Sequence, residues 1–202
     1  MIDLYDRATS GNSYKVRLLL ALLGVPYHGI DIRLGAAGRN EVDHAYLALN
    51  PRGQVPTLVD GDTVLWGSTS ILVYLASRYD PSAIWLPRDP KALGRTMQWL
   101  ELAQNEINSG LFRARAIARF GYQGDLDAAR QDGEVALNVL EKRLKVGSAW
   151  LVGSEAPTIA DIACFPYVAL APEGGLKLEA YPFIALWIRQ IKKLPGYVPL
   201  PD

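Results

Sequence analysis

Apolar and polar positions change period several times along the chain. Ile2 and Leu4 alternate with polar neighbours, a polar cluster runs from Arg7 to Ser13, and the apolar run to Leu23 carries charge only at Lys15 and Arg17. That order predicts strand, turn and helix, with Gly24 and Pro26 stopping the helix. Alternation returns in Tyr27 to Leu34 through Ile30, Ile32 and Leu34, which makes a βαβ unit with parallel strands and a right-handed crossover. Gly35 to Asn40 is a glycine-rich loop, and Glu41 to Leu49 is a short helix candidate ended by Asn50-Pro51. Two β-rich runs then flank an Asp60-Gly61 turn, a hairpin signal. Pro56 lies at the start of the first run, where the lack of an N–H is tolerated.

Apolar residues at Ile71, Leu72, Leu75 and Ala76 predict an amphipathic helix from Ser68 to Tyr79, with Ser68 in the capping position. The order is therefore βαβαββα. Three prolines between Asp80 and Pro90 mark a linker, and beyond it the texture is helical only. Leu93, Met97, Leu100, Ala103, Ile107 and Leu111 form one long stripe, and Ala136, Leu137, Leu140 and Leu144 form another. Thr158-Ile-Ala-Asp161 opens a third helix with a capping box. Tyr181 to Leu194 predicts a fourth, stopped by Pro195-Gly196.

Composition narrows the chemistry. Half of the 202 residues are hydrophobic, and 21 basic side chains balance 21 acidic ones, so the chain can bury a core and lacks the basic excess that a nucleic-acid backbone attracts. The arginines at 113, 115 and 119 read as a solvated helix face or as the lining of a substrate pocket. One cysteine, Cys164, rules out an intrachain disulfide and a Cys-x-x-Cys pair, and within an apolar helix it reads as a packing residue. His28 and His44 stand in unrelated contexts, which argues against a metal site. The longest apolar run, Leu18 to Leu23, is too short to span a bilayer. With no leader ahead of the first strand, the expectation is a soluble cytoplasmic protein.

One place remains for chemistry. Ser10, Gly11, Asn12 and Ser13 sit where the first orphan N–H groups of a helix point outward, a site able to hold an anion with backbone and hydroxyl donors.

Four segments then carry a family resemblance: Ser-Gly-Asn-Ser-Tyr-Lys-Val-Arg (10 to 17), Asn-Pro-Arg-Gly-Gln-Val-Pro-Thr-Leu (50 to 58), Gly-Ser-Thr-Ser-Ile-Leu-Val-Tyr-Leu-Ala (67 to 76) and Pro-Thr-Ile-Ala-Asp-Ile (157 to 162). In that order they resemble the glutathione S-transferase family, in its bacterial, serine-type (theta/zeta-like) form. The resemblance implies an α/β plus all-α architecture: a thioredoxin-like domain over residues 1–79, a linker over 80–90 and an all-helical domain over 91–202.

It also implies an activity, a cytoplasmic homodimer that binds and ionises glutathione and conjugates it to a small hydrophobic electrophile in detoxification, without a metal, a nucleic acid or a membrane. Ser10 matches the residue whose hydroxyl holds the thiolate, with Asn12 and Ser13 as alternatives at the same helix end. Val55 and the cis Pro56 would hold the cysteinyl backbone, and Ser68 the γ-glutamyl carboxylate. The family commonly carries Glu, Gln or Asp before that serine, but Gly67 stands here, so a side chain that helps orient the γ-glutamyl group is missing. Arg39, Arg52 and Gln54 are candidates for further polar contacts. The electrophile would lie near Gln104, Asn108, Leu111 and Arg115. Thr158 and Asp161 match the family's helix cap. Alternative functions on the same fold are a transferase-like binding module and a glutathione-dependent isomerase or peroxidase.

Overall fold

The computed structural model describes residues 1–32 and 44–200. Arg39, the 35–40 loop, the first residues of the 41–49 helix candidate and the end of the 27–34 alternation lie outside those residues.

Four strands form one sheet in the order β2-β1-β3-β4: β1 (Ile2–Asp6), β2 (Tyr27–Asp31), β3 (Thr57–Asp60) and β4 (Thr63–Trp66). β1 and β2 pair in parallel, as the βαβ pattern predicts, and β3 pairs antiparallel with both β1 and β4. Gly61, at φ +63°, takes the turn between β3 and β4 that the Asp-Gly pair announces. The helices of this half are α1 (Gly11–Leu22), α2 (His44–Leu49) and α3 (Ser68–Tyr79). The result is a thioredoxin-like βαβαββα unit.

The rest is helical: α4 (Pro90–Gln104), a π turn (Ile107–Phe112), α5 (Arg113–Phe120), α6 (Leu126–Lys145), α7 (Ile159–Ala169), a short 3₁₀ turn (Ala171–Gly174) and α8 (Pro182–Ile191). The single stripe expected from Leu93 to Leu111 is thus interrupted. Leu100, Ala103, Ile107 and Leu111 are all buried, but the backbone widens by one residue between α4 and α5 to keep them facing inward. A close contact sits across from it. A Cβ on Gly110 would come within 2.3 Å of the Gly133 backbone nitrogen on α6, so the π turn and α6 touch backbone to backbone without side chains between them.

α1 and α7 cross at the centre. Leu18, Leu19 and Leu20 of α1 have no exposed surface, each worth about 1.5–3 kcal/mol of burial. Every residue of α7 from Ile159 to Val168 is buried, Cys164 among them, with its thiol 3.6 Å from the Trp99 carbonyl oxygen. Both helices are covered nearly all round, which is why neither reads as a simple amphipathic stripe. No helix among the described residues is long and apolar enough to cross a membrane.

Candidate active site

The loop from β1 to α1 is pinned from two directions. Arg17, on α1, reaches back so that Nη1 donates to both Asp6 carboxylate oxygens, at 2.7 and 2.5 Å, while Nη2 donates to the Ala8 carbonyl at 2.9 Å. Arg115, on α5, donates from Nη1 to the Thr9 carbonyl at 3.0 Å and from Nε to Glu173 at 2.6 Å. Glu173 also holds Arg119 at 2.7 Å. Arg115 is only 3% exposed, so two helices and a loop close over it. Its place is a strut and not a solvated face, which corrects that part of the sequence reading. Nothing in the sequence separates the two cases, because its partners lie 58 and 106 residues away.

Past that loop, Ser10 is the N-cap of α1 in extended conformation, and its Oγ accepts the Ser13 N–H at 3.2 Å. The Ser10 carbonyl takes the Tyr14 N–H at 2.9 Å. The Asn12 N–H faces the buried Tyr167 hydroxyl. As N-cap and first residue of α1, Ser10 and Gly11 carry donors that the helix itself does not use. Ser13 is wholly buried and its hydroxyl has no partner, which leaves Ser10 and Asn12 as the partly exposed polar side chains of the turn. Gly11 is glycine for a reason of space: a Cβ there would stand 2.6 Å from the Tyr167 ring.

A second helix opens beside the first. Ser68, expected as a cap, is instead the first residue of α3, and Gly67 holds the cap position without any side-chain bond. Gly67 takes φ +88°, a left-handed conformation that costs a side-chain-bearing residue about 1–2 kcal/mol. That is a local reason for glycine at this position. The Ser68 hydroxyl donates to Asn12 Oδ1 at 3.4 Å, so the first turns of α1 and α3 are tied together. The same oxygen accepts from Lys15 Nζ at 2.9 Å. Val55-Pro56 is a cis peptide leading into β3. The loop before it is latched by Asn50, whose Nδ2 donates to the Gln54 carbonyl at 2.6 Å and to Thr57 at 3.0 Å, and by the Tyr46 hydroxyl, which donates to the same carbonyl at 2.6 Å. Arg52 lies over the Trp66 ring at 5.7 Å.

The residues expected around the electrophile differ in exposure, with Gln104 and Asn108 exposed and Leu111 and Arg115 buried. Gln104 hydrogen-bonds to Thr69, joining the end of α4 to the first turn of α3, and a cavity of about 520 Å³ lies there, lined by Thr69, Ser70, Val73, Met97, Leu100 and Gln104 among others. Asn108 is exposed and Leu111 is fully buried. Three residues that sequence reasoning passed over, Lys15, Tyr167 and Asn50, are the ones that hold the polar turns in place. Lys15 and Tyr167 sit in runs that read as plain helix, and only the crossing of α1 and α7 brings them together.

Comparison with known proteins gives these positions a context. Residues 4–83 match the model of the glutathione S-transferase N-terminal domain, and residues 109–195 match the model of its C-terminal domain. The glutathione S-transferase GstB of Escherichia coli is 31% identical over 209 residues, covering 97% of this chain and 95% of that protein. A maleylacetoacetate isomerase of Pseudomonas aeruginosa is 33% identical over 192 residues, covering 91% and 87%. Among solved structures, a glutathione S-transferase of Pseudomonas fluorescens superposes with a TM-score of 0.90 at 33% identity, over 100% of this chain and 99% of that one.

Proposed function

The chain belongs to the glutathione S-transferase family, and from that premise we propose that it is a glutathione transferase whose α1 terminus keeps the glutathione sulfur ionised. The observation that supports this most is the surplus of donors at one place: the Ser10 hydroxyl, the Gly11 N–H and the Asn12 carboxamide, beside the uncapped first turn of α3. When bound, glutathione supplies a thiol whose free pKa is roughly 8.5, so about 3% is thiolate at neutral pH. Lowering that value by about two units takes ~2.7 kcal/mol of preference for the anion. One hydroxyl hydrogen bond to a charged sulfur together with a helix N-terminus is of that size.

Ser10 acts as a donor in this reading, and its hydroxyl is already aligned because its oxygen is held by the Ser13 N–H. Ser68 and the backbone of the first turn of α3 receive the γ-glutamyl carboxylate, since an anion is stabilised at a helix N-terminus. The backbone at Val55 receives the cysteinyl unit, with Gln54 beside it. A small electrophile would then meet the sulfur in the cleft between the two halves, where proximity does most of the work. We take the protein to be cytoplasmic and a homodimer, its exposed Val64 and Trp66 on β4 and Met97 on α4 being suited to such a contact.

The test is spectroscopic. Bound glutathione titrated by its thiolate absorbance should ionise about two units below free glutathione, and Ser10→Ala should return most of that shift. Unchanged ionisation in Ser10→Ala would remove Ser10 from the role. Glutathione-dependent isomerisation is a second reading, favoured by the likeness to maleylacetoacetate isomerase. A diacid substrate would call for a cation in the cleft, and Arg115 is buried and ion-paired to Glu173, so conjugation is preferred. Product analysis with an aryl halide and with unsaturated diacids separates the two.

A further inference from the structure

Lys15 is 1% exposed, and among the described residues no carboxylate pairs with it. Its surroundings are neutral. From its own helix the Asn12 Oδ1 accepts from Nζ at 2.9 Å. From α7 the Tyr167 ring lies 5.2 Å from the ammonium and the Cys164 thiol faces it. Burial holds that thiol and that phenol well above their ordinary ranges, so neither supplies negative charge. Asp161, in the first turn of α7, faces Cys164 and is spent on the helix cap, and Arg115 faces Tyr167 from α5. A cation taken out of water without a counter-ion is expensive for a fold to keep.

The hydrogen bond it makes has a direction. An ammonium only donates, whereas a carboxamide can present either its oxygen or its NH₂. With Lys15 on one side and the Ser68 hydroxyl also donating, Oδ1 is the atom that must face inward, and Nδ2 is turned away from them. We infer that Lys15 is a positioning residue for the thiolate: its ammonium fixes the Asn12 carboxamide with the oxygen inward, so that the NH₂ becomes a donor to the sulfur subsite. Without Lys15 the amide is free to reverse and present an oxygen to an anion. This rests on the reading that the first turn of α1 holds the thiolate.

The experiment is the same thiolate titration on the full chain, with free glutathione as the reference and with Lys15→Met, Asn12→Ala and the double variant. Lys15→Met should raise the pKa of bound glutathione by about one unit, a tenfold loss of thiolate below that pKa. The double variant should match Asn12→Ala alone. Lys15→Gln, which both donates and accepts, takes the place of Lys15→Met where the latter does not fold, and should give a shift in the same direction. A wild-type pKa in Lys15→Met overturns the inference, and so does a double variant whose shift is the sum of the two single ones. Bound glutathione that ionises like free glutathione in the wild type is a different result: it overturns the reading of α1 and this inference with it.

Discussion

Two helices in this molecule begin on a hydroxyl residue in extended conformation, and they treat their first turns in opposite ways. At α7 the accounts are closed. Thr158 Oγ1 takes the Ala160 N–H at 3.2 Å, and one Asp161 oxygen takes the Thr158 N–H at 2.9 Å. The other takes the Leu151 N–H at 3.1 Å and the Trp187 indole N–H at 3.0 Å. At α1 the Ser10 oxygen takes a single N–H, a buried serine hydroxyl goes unpartnered, and a buried lysine has no carboxylate. A closed terminus serves folding. The open one at α1, retained at a cost to stability, is the terminus proposed above to hold the anion, and the contrast would separate folding from binding within one fold.

Four changes would sharpen that contrast or break it. Asp161→Ala should have the largest effect, because three buried N–H groups lose their acceptor at about 1–3 kcal/mol each. Urea unfolding should show a loss of at least about 3 kcal/mol, a large share of an ordinary domain's stability. Burial pushes the Asp161 carboxyl up, but those donors favour the carboxylate. Should the variant unfold like the wild type, α7 is not the structural terminus of the pair.

Ser10→Ala comes next. It should cost about 1 kcal/mol as a lost cap while turnover falls on the order of tenfold or more, read from kcat at saturating glutathione. A loss of stability with no loss of kcat would make α1 a plain structural cap like α7.

Lys15→Met should move stability the other way, upward at neutral pH by about 1–3 kcal/mol, since a buried unpaired charge is replaced by an apolar chain of similar shape. The pH dependence carries its signature. Burial pushes the Lys15 ammonium down to about 8 from its usual 10.5. Between those values the unfolded chain holds the proton that the folded chain has released, so wild-type stability gains with rising pH. The gap between the two proteins should therefore narrow between about pH 8 and 10.5 and stay constant below pH 8, measured by denaturant midpoints at each pH. A gap that does not change with pH would mean that the lysine is not carrying a buried charge.

Gly67→Gln should be smallest. There is room for the side chain, with the nearest atom 3.8 Å from the added Cβ, but the φ of +88° should cost about 1–2 kcal/mol by thermal unfolding. If isothermal titration shows glutathione binding tightened at that cost, the open end of α3 is the γ-glutamyl site.

What could be read from the chain follows the range of the interactions. The α7 cap is legible because Thr158 and Asp161 are three residues apart and close their box locally. The βαβ unit and the hairpin at Gly61 are legible for the same reason. The π turn is not, because it coincides with the approach of Gly110 to Gly133, and no periodicity within residues 93–111 announces a contact with α6. Ser68 reads as a cap until the backbone at Gly67 shows one residue of offset. At α1 the serine and asparagine stand out as polar residues at a helix start, whereas Lys15 reads only as one of two charges in an apolar run. Only the arrival of α7, some 150 residues later, buries it.

The hydrogen bond from Arg115 to the Thr9 carbonyl, with Tyr167 packed on Gly11, has a consequence for how this protein could be recombined. The peptide that leads into Ser10 is clamped by a residue of the helical half, so the first turn of α1 depends on contacts that the sheet and its own helices do not supply. A hybrid that grafts a relative's helices onto this sheet must bring along an arginine and an aromatic ring at those two points. Otherwise the graft inherits the motif and loses its shape.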